Sequence, residues 1–395
     1  MTPLGIYIHI PFCASKCAYC DFYSRLGTKG EFDEYTATIV RHITEAQMRG
    51  SEYIVDSIFF GGGTPTAIGE RNLIKILSAV MKSFHVSEDC EITVEANPNS
   101  VTARALKRLR RAGVNRISFG MQSSSGAELR CLGRTHTFAD VERAVFLARG
   151  AKITNISLDL MYGLPSQTLD TWLNSLDAAL SLLPTHISCY SLKLEEGTPL
   201  AERPETLDLP SDDVQADMYL AAVARLSDEG FIQYEISNFA REGFSCRHNK
   251  KYWNLGEYWG FGPSAHSLIG KKRFSYIRDT SRYINAISEG DEVIDKIDTI
   301  NTAERAGEYV MLMLRTSEGI SPEVIQKRYL TYFDEMEKVL LNYHKSGHAE
   351  FDGLAWRLTA EGFLISNRII GDLLDALESS KRVVTPINGY IRKDR

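Results

Sequence analysis

Three cysteines near the amino terminus constrain most strongly what this chain can form. Cys13, Cys17 and Cys20 follow a C-x3-C-x2-C spacing in one short stretch that comes directly after an apolar, strand-like run. Three thiolates on one compact loop can each bind one iron of a cubane 4Fe-4S cluster, which leaves the fourth iron without a protein ligand. A structural zinc site is the alternative, but it takes four ligands, usually as two closely spaced pairs. No second pair follows nearby, so the spacing favours the cluster.

The open iron predicts a second cofactor. An iron without a protein ligand can chelate the amino and carboxylate groups of S-adenosylmethionine and pass an electron to its sulfonium, which cleaves to a radical. In such a site the cofactor performs the chemistry, and the protein binds and orients it. We therefore expect the rest of the chain to build a pocket above the cysteine loop.

Composition excludes several other classes of protein. The 395 residues include 45 basic and 51 acidic side chains, and the resulting net charge of -6 gives no electrostatic reason to expect nucleic acid as a partner. No signal pattern opens the chain and no run of about 18 apolar residues occurs, so neither export nor a membrane span is expected. An odd number of cysteines, seven, makes a disulfide framework an unlikely reading. We predict a cytoplasmic protein.

Apolar runs of strand length alternate with amphipathic helical stretches from the amino terminus to about residue 194, which is typical of repeated βα units. The predicted strands are Ile6-Ile10, Ser57-Phe60, Glu91-Asn97, Arg116-Gln122, Ile156-Gly163 and His186-Leu194. The predicted helices lie near 31-49, 69-84, 102-112, 137-150, 169-182 and 211-229. Six units are fewer than the eight that close a full barrel. The expected fold is therefore α/β, a partial (β/α)6 TIM-like barrel.

Alternation within these strands separates a helix-facing side from a side that faces the barrel lumen, because successive residues of a strand point to opposite faces. Tyr7, Glu95, Gln122 and Asp159 fall on the lumen side, most of them near the carboxyl ends of their strands. Active sites of α/β barrels assemble at that end. A buried carboxylate is costly unless it has a partner. Either a bound ligand or an internal pair with Arg116 or Arg134 would serve.

A glycine-rich turn, Gly61-Gly62-Gly63-Thr64-Pro65, follows the second strand. Backbone without side chains can approach a ligand closely and offer its N-H and C=O groups. The turn is neither a Walker loop nor a dinucleotide fingerprint. Beside the cysteine loop, it suits the methionine end of S-adenosylmethionine.

Together these motifs resemble the radical S-adenosylmethionine family that contains oxygen-independent coproporphyrinogen III dehydrogenase. The residues that carry the resemblance are Tyr7-x-His9-x-Pro11-Phe12-Cys13-x3-Cys17-x-Tyr19-Cys20, the glycine-rich turn, Glu95 before Asn97-Pro98, Gly120-x-Gln122, Gly133-Arg134 and Asp159-Leu160-x-Tyr162-Gly163-Leu164-Pro165. The resemblance implies a 4Fe-4S cluster on Cys13, Cys17 and Cys20. It also implies that S-adenosylmethionine is lined by Tyr7, Tyr19, Gly62, Gly63, Thr64, Glu95, Gln122, Arg134 and Asp159.

Two departures distinguish the chain from the decarboxylating members of that family. Those enzymes carry a further cysteine two residues past the third ligand, where this chain has Phe22, and an extension before the cluster loop that helps enclose the porphyrinogen. Only twelve residues precede Cys13 here. Because hydrogen abstraction from a substrate needs water excluded, decarboxylation is not the expected activity, and whether the protein is an enzyme stays open.

The stretch His248-Asn249-x2-Tyr252-Trp253 resembles the H-N-x2-Y-W motif of the HemW-type heme chaperones in the same family. Imidazole is a common axial ligand of heme iron, and clustered aromatic side chains offer broad apolar faces to a macrocycle. His248 is the predicted heme ligand, Lys250 and Lys251 could meet the propionates, and His266 is a second candidate ligand. A lone histidine among aromatics is, however, most often a core or surface residue.

We predict three parts: a radical S-adenosylmethionine barrel at 1-230, an extension with the heme motif at 231-295, and a small helical, winged-helix-like domain at 296-395. The expected function is a heme chaperone that delivers heme to an acceptor protein and draws on an electron donor for its cluster. Oxidative decarboxylation of coproporphyrinogen III, or another radical step on a tetrapyrrole, is the alternative.

Overall fold

The computed structural model, which describes residues 1–202 and 204–381, begins with six strands that are each followed by helical structure. All six predicted strands form, so the α/β prediction is confirmed. The differences are local: the first three strands begin before their predicted starts, the third by six residues, the sixth ends at Ser191 before its predicted end at Leu194, and a short helix after the fourth strand was not predicted. The elements are β1 Thr2–Ile10, α1 Lys29–Glu45, β2 Tyr53–Gly62, α2 Glu70–Ser83, β3 His85–Ala96, α3 Ala103–Arg111, β4 Arg116–Gln122, α4 Gly126–Cys131, α5 Phe138–Gly150, β5 Asn155–Tyr162, α6 Leu169–Ser181, β6 His186–Ser191 and α7 Asp212–Asp228.

These six strands lie side by side and parallel in chain order, and further strands extend the sheet at both edges. The elements that follow are β7 Ile232–Glu235, β8 Asn238–Ala240, α8 Arg247–Trp253, β9 Glu257–Phe261, β10 His266–Ile269, β11 Lys272–Tyr276, α9 Thr280–Glu289 and β12 Ile294–Thr299. The order runs β12-β11-β10-β9-β1-β2-β3-β4-β5-β6-β8, with β9 parallel to β1 and β8 antiparallel to β6. Because β1 and β6 are not neighbours, the sheet stays open, as the predicted partial barrel requires.

Register across β1, β2 and β3 stacks the lumen side chains in three layers. The floor layer is Gly5, Ser57 and Glu91. Two residues further along each strand, the middle layer is Tyr7, Phe59 and Thr93. Above it, toward the carboxyl ends, the top layer holds His9 beside Gly61 and also Glu95.

The opposite face of the same strands forms the main apolar core. Ile6, Ile8 and Ile10 are completely buried between β1 and the surrounding helices, as their alternation predicts. Burying one such side chain contributes about 1.5–3 kcal/mol. The faces of the sheet are therefore fixed by the two-residue period, which holds Tyr7 and His9 toward the lumen.

The carboxyl-terminal region is mainly helical. Its elements are α10 Thr302–Met313, α11 Pro322–Arg328, α12 Asp334–Lys345, β13 Ala349–Phe351, β14 Trp356–Leu358, α13 Ala360–Leu364 and α14 Ser366–Ser379. β13 and β14 pair as an antiparallel hairpin between the helices. The final helix, predicted as one segment from Thr359, is two helices, with Ile365 ending one and preceding the next.

The described part of the chain divides into two compact units. One unit is Met1–Ile232, Ser237–Lys251 and Gly256–Asp298, and the other is Gln233–Ile236, Tyr252–Leu255 and the described residues from Thr299 onward. The predicted boundaries at 230/231 and 295/296 stay predictions, and the end of the 296-395 range lies outside the described residues. Within the ranges that the structure describes, none of the helices combines the length and the apolar character that a membrane crossing needs.

Trp172 provides a direct test of the packing between α6 and α7. Its side chain is completely buried, and its indole N-H donates a 2.9 Å hydrogen bond to the carbonyl of Met218. We expect Trp172→Ala to lower the free energy of unfolding by about 3–5 kcal/mol, because it leaves a large cavity. Trp172→Phe keeps a ring and loses mainly the hydrogen bond, so its cost should be about 1–2 kcal/mol. Urea unfolding followed by circular dichroism measures both, and equal losses would contradict this account.

Candidate functional site

The three cysteines lie in the loop that joins β1 to α1, above the carboxyl end of β1. Backbone hydrogen bonds fix this loop: the N-H of Cys13 donates to the carbonyl of Arg25 at 3.0 Å, and that of Ala18 donates to the carbonyl of Leu132 at 3.0 Å. All three thiols are free and half-buried. The loop therefore presents three thiol groups at the end of the barrel where the polar lumen residues gather.

The glycine-rich turn lies against this loop. The N-H groups of Gly63 and Thr64 donate 2.8 Å hydrogen bonds to the carbonyls of Ile10 and Phe12, and the Thr64 hydroxyl lies 3.6 Å from Cys13 Sγ. A Cβ at position 63 would lie 2.7 Å from the Phe12 carbonyl oxygen and 3.0 Å from Cys13 Sγ. Glycine is thus required where turn and cysteine loop meet.

Arg134 connects the far side of the cysteine loop to β4. Its guanidinium donates to the carbonyl of Gly120 at 2.7 Å and to Asn97 Oδ1 at 3.2 Å, and it lies 3.5 Å from Cys17 Sγ. Gln122 follows in the left-handed backbone region, with φ of 63°. Arg134 therefore brings a positive charge and N-H donors to Cys17 Sγ.

Two carboxylates lie in the lumen below these loops. Glu95 accepts a hydrogen bond from the backbone of Gly62, whereas Asp159 accepts from the hydroxyls of Ser188 at 2.8 Å and Ser118 at 3.0 Å. Burial, followed by repulsion from Asp159, raises the pKa of Glu95 to about 8. Burial also raises the pKa of Asp159, although the serine hydroxyls oppose this shift. A ligand that brings positive charge or hydroxyl groups would stabilise both carboxylates.

The sequence left Arg116 and Arg134 open as internal partners of the two carboxylates. Arg134 is not their partner, because its guanidinium contacts Gly120, Asn97 and Cys17. Arg116 is buried and favours the charged form of both carboxylates through its own charge. It therefore compensates part of their burial.

Tyr7, from the middle layer, and Tyr19, from the cysteine loop, add aromatic walls to the same region. A Cβ at Gly61 would lie 3.0 Å from Tyr7 Cε2 and 3.2 Å from Glu95 Oε2. Both side chains therefore lie against the backbone of the glycine-rich turn. Burial raises the pKa of both tyrosines well above its usual range, with Glu95 adding to the effect at Tyr7. Both hydroxyls are therefore neutral hydrogen-bonding groups at physiological pH.

These residues fit the two groups that the sequence predicts. Within the described ranges, no three histidine, cysteine or acidic side chains converge on one metal ion, but a cubane needs three thiolates for three separate irons. Gly63 and the Thr64 hydroxyl lie against Cys13 Sγ, and Arg134 lies against Cys17 Sγ. Glu95 and Asp159 lie within the lumen. The structure thus gathers the predicted Cys13, Cys17, Cys20, Tyr7, Tyr19, Gly62, Gly63, Thr64, Glu95, Gln122, Arg134 and Asp159 around one end of the barrel.

His248 lies elsewhere, at the floor of the barrel. It belongs to α8, its side chain is 1% exposed, and its Nδ1 is 3.0 Å from the hydroxyl of Ser57 in the floor layer. Burial, followed by the charge of Lys251, lowers the pKa of His248 to about 3, so the ring is neutral. In this conformation the imidazole is not accessible to a macrocycle.

The other residues named for heme are spread around α8 and beyond. Lys251 is buried and forms a 2.8 Å ion pair with Asp56, and Lys250 is half-buried. His266, on β10, is exposed, and burial of part of its ring lowers its pKa. Asp56 and Ser57 were not foreseen from the sequence, because only tertiary packing brings β2 against α8.

Sequence reasoning overlooked Tyr23 and Ser188, and it assigned no role to His9 or Ser118. Alternation within the strands had already placed His9, with Tyr7, and Ser118, with Gln122, on the lumen side. Ser118 and Ser188 occupy inward positions of their strands, which was the available signal. Tyr23 follows the cysteines in an irregular loop, for which periodicity gives no information.

Comparisons with known proteins show the family and support the fold. Residues 7–179 match the Radical SAM superfamily. Over 375 residues the chain is 36% identical to the heme chaperone HemW of Bacillus subtilis strain 168, covering 94% of this chain and 99% of that protein. It is 35% identical to the Escherichia coli K12 heme chaperone HemW, covering 94% and 98%. Among solved structures, the coproporphyrinogen III oxidase HemN from Escherichia coli superposes with a TM-score of 0.83 at 22% identity, covering 96% and 90%, which supports the fold.

The raised pKa of Glu95 predicts how S-adenosylmethionine binding depends on pH. In the protein without S-adenosylmethionine, the Glu95 carboxyl is protonated below about pH 8. The permanent positive charge of the bound sulfonium favours the ionised carboxylate. We therefore expect affinity to increase as the pH rises through about 8, and binding at pH 7 to release a proton. Calorimetry of the reconstituted protein in two buffers with different ionisation enthalpies measures this release.

Glu95→Gln is the matched variant, because it keeps the shape of the side chain and cannot titrate. Any proton release that remains in the variant belongs to the ligand or to other groups. Equal release by the wild-type protein and Glu95→Gln would show that this carboxyl does not respond to the ligand.

Proposed function

Because the chain belongs to the family of the heme chaperone HemW within the radical SAM superfamily, we propose that it binds heme and transfers it to an acceptor protein. The observation that carries this proposal is the likeness to HemW proteins at 35–36% identity over almost their full length. The lumen site supports it, because the family's cofactor residues meet there in one place. The protein carries a 4Fe-4S cluster and S-adenosylmethionine, is cytoplasmic, and receives electrons for its cluster from a donor protein.

In this proposal Cys13, Cys17 and Cys20 bind the cluster. When bound beside S-adenosylmethionine, the open iron of such a cluster supplies an electron for cleavage of the sulfonium. Thr64 offers a hydroxyl donor to Cys13 Sγ, and Arg134 brings a positive charge to Cys17 Sγ.

The remaining pocket residues bind and orient S-adenosylmethionine. Gly62 and Gly63 offer backbone groups without a side chain in the way, and Glu95 accepts from the cationic end of the ligand. Asp159, which accepts hydrogen bonds from three serine hydroxyls, also accepts hydrogen bonds from the ribose hydroxyls. The Gln122 amide accepts hydrogen bonds from the same hydroxyls or donates to them. Tyr7 and Tyr19 cover the ligand with apolar ring surface, which keeps water from the reacting bond.

We further propose that His248 ligates heme iron, with Lys250 and Lys251 near the propionates and His266 as the second candidate. The burial of His248 sets a condition on this proposal. Heme can reach the imidazole only after α8 has left the barrel floor. The contacts to be broken are the hydrogen bond to Ser57, the Lys251–Asp56 ion pair and the hydrogen bonds of Glu91 to the N-H groups of Arg247 and His248.

The rival function is oxidative decarboxylation of coproporphyrinogen III or another radical reaction of a tetrapyrrole. The likeness to the oxidase is at 22% identity and supports the fold alone. Phe22, which is 63% exposed, stands where the decarboxylating enzymes carry a further cysteine. We therefore place the chaperone first.

The cluster assignment predicts a clear difference between two cysteines. Anaerobic reconstitution should give about four irons and four sulfides per chain, and Cys20→Ser should lose them because one iron then lacks its thiolate. Cys131→Ser is the control, because Cys131 is also free and half-buried but lies in α4. Iron and sulfide analysis measures both. Stoichiometric zinc without sulfide, or a full cluster in Cys20→Ser, would contradict the assignment.

The heme assignment predicts that His248→Ala and His248→Phe both weaken the saturable absorption change on heme titration, because neither side chain can ligate iron. His42→Ala is the control, because His42 is also a buried histidine but belongs to α1 and hydrogen-bonds to Tyr283 of α9. If His266→Ala alone removes the change, His266 is the ligand. Conversion of coproporphyrinogen III over many turnovers, with no heme binding, would favour the rival enzyme.

A further inference from the structure

The ring of His248 supports the middle layer of the lumen from below. It stacks on Phe59 with 5.3 Å between ring centroids and on Tyr7 with 6.2 Å, at interplanar angles of 25° and 29°. Tyr7 and Phe59 stack on each other at 6.3 Å. The three rings therefore form one packed group, and removal of the lowest ring leaves a cavity directly under the other two.

α8 is held in this position at both ends. The Glu91 carboxylate accepts a 3.0 Å hydrogen bond from the N-H of Arg247 at the start of the helix. At the other end Lys251 pairs with Asp56 at 2.8 Å. These contacts come from β2 and β3, so the position of the His248 ring is fixed relative to the strands that carry Phe59 and Glu95.

From Tyr7 the contacts continue upward to the cysteine loop through His9. The Tyr7 hydroxyl lies 3.1 Å from His9 Nδ1, and His9 Nε2 lies 2.9 Å from the carbonyl oxygen of Tyr23. Burial lowers the pKa of His9 to about 4, so its ring is neutral. Because a carbonyl only accepts, Nε2 carries the proton, Nδ1 accepts, and Tyr7 donates. The backbone three residues past Cys20 thus depends on the orientation of Tyr7.

We propose that His248 is a positioning residue of the S-adenosylmethionine site, which holds the Tyr7 ring from below and, through Tyr7 and His9, the backbone that follows Cys20. The proposal rests on the proposed pocket that Tyr7 lines and does not require heme. It gives His248 of the H-N-x2-Y-W motif a second role. The His248 ring lies below the middle layer, whereas the cluster cysteines lie above it.

The role depends on the shape of the ring and not on its charge. Both neighbours of His248 in the stack are aromatic, its ring is neutral because burial lowers its pKa to about 3, and its Nδ1 lies 3.0 Å from the uncharged Ser57 hydroxyl. A phenyl ring can fill the same space under Tyr7, whereas a methyl group cannot. His248→Phe should therefore preserve the positioning role, although it cannot ligate heme.

The test measures S-adenosylmethionine affinity of the reconstituted protein without heme, from the change that the ligand causes in the electron paramagnetic resonance spectrum of the reduced cluster. Loss of a residue that orients the groups around a metal site weakens binding by about 10–100-fold. We expect His248→Ala to weaken affinity at least tenfold, and His248→Phe to stay within about threefold of the wild type. His42→Ala should bind like the wild type. Iron content and thermal unfolding of each variant control for cluster loss and misfolding.

Gly5→Ala is a second, milder variant that removes no side chain. A Cβ at position 5 would lie 2.8 Å from Lys251 Cδ and 3.1 Å from the His248 ring, so the ring must shift by a few tenths of an ångström. We expect weaker S-adenosylmethionine binding than in the wild type. This variant keeps the proposal testable if His248→Ala does not fold.

The possible failures can be told apart by their results. Wild-type affinity in both His248→Ala and Gly5→Ala would overturn the positioning role. Equal weakening by His248→Phe and His248→Ala would also overturn it, because ring packing would then not be the cause. Absence of S-adenosylmethionine binding by the wild-type protein would instead remove the proposed pocket, and a negative heme titration would leave this inference untouched.

Discussion

The pairing of β1 with β2 is the interaction on which the site depends. It carries the cysteine loop and the glycine-rich turn to the same edge of the sheet, where the N-H groups of Gly63 and Thr64 bind the carbonyls of Ile10 and Phe12. These two hydrogen bonds continue the ladder past the ends of both strands. A substitution at Gly63 would separate the thiols from the backbone that lines their pocket, although no ligand would be lost.

Alternation within strands was the part of the sequence that could be converted into geometry. It placed Tyr7, Glu95 and Asp159 in the lumen, because the two-residue period is a local property that the helices on the other face enforce. It could not reveal the position of α8. This helix has no apolar stripe, and it is held by Glu91, Asp56 and Ser57 through contacts that span more than 150 residues of sequence.

The position of α8 changes how the H-N-x2-Y-W motif is interpreted. From sequence, His248 among aromatics was either a heme ligand or an ordinary core or surface residue. The structure shows it as a core residue of the barrel in this conformation, and ligation of heme would have to displace it. The two roles proposed for His248 would link heme binding at the floor to S-adenosylmethionine binding in the pocket, and such a link acts in both directions.

The loop after the cysteines also forms a hydrogen bond with α9, which follows the six-stranded barrel in the chain. The hydroxyl of Tyr23 accepts a 2.7 Å hydrogen bond from the N-H of Thr280, at the start of α9 and 257 residues later in the chain. During synthesis the cysteines leave the ribosome first, but this contact cannot form until α9 has followed. Iron delivered early would meet an incomplete loop. The cluster is therefore expected to be installed late, into a chain that has already been made almost to its carboxyl-terminal helices.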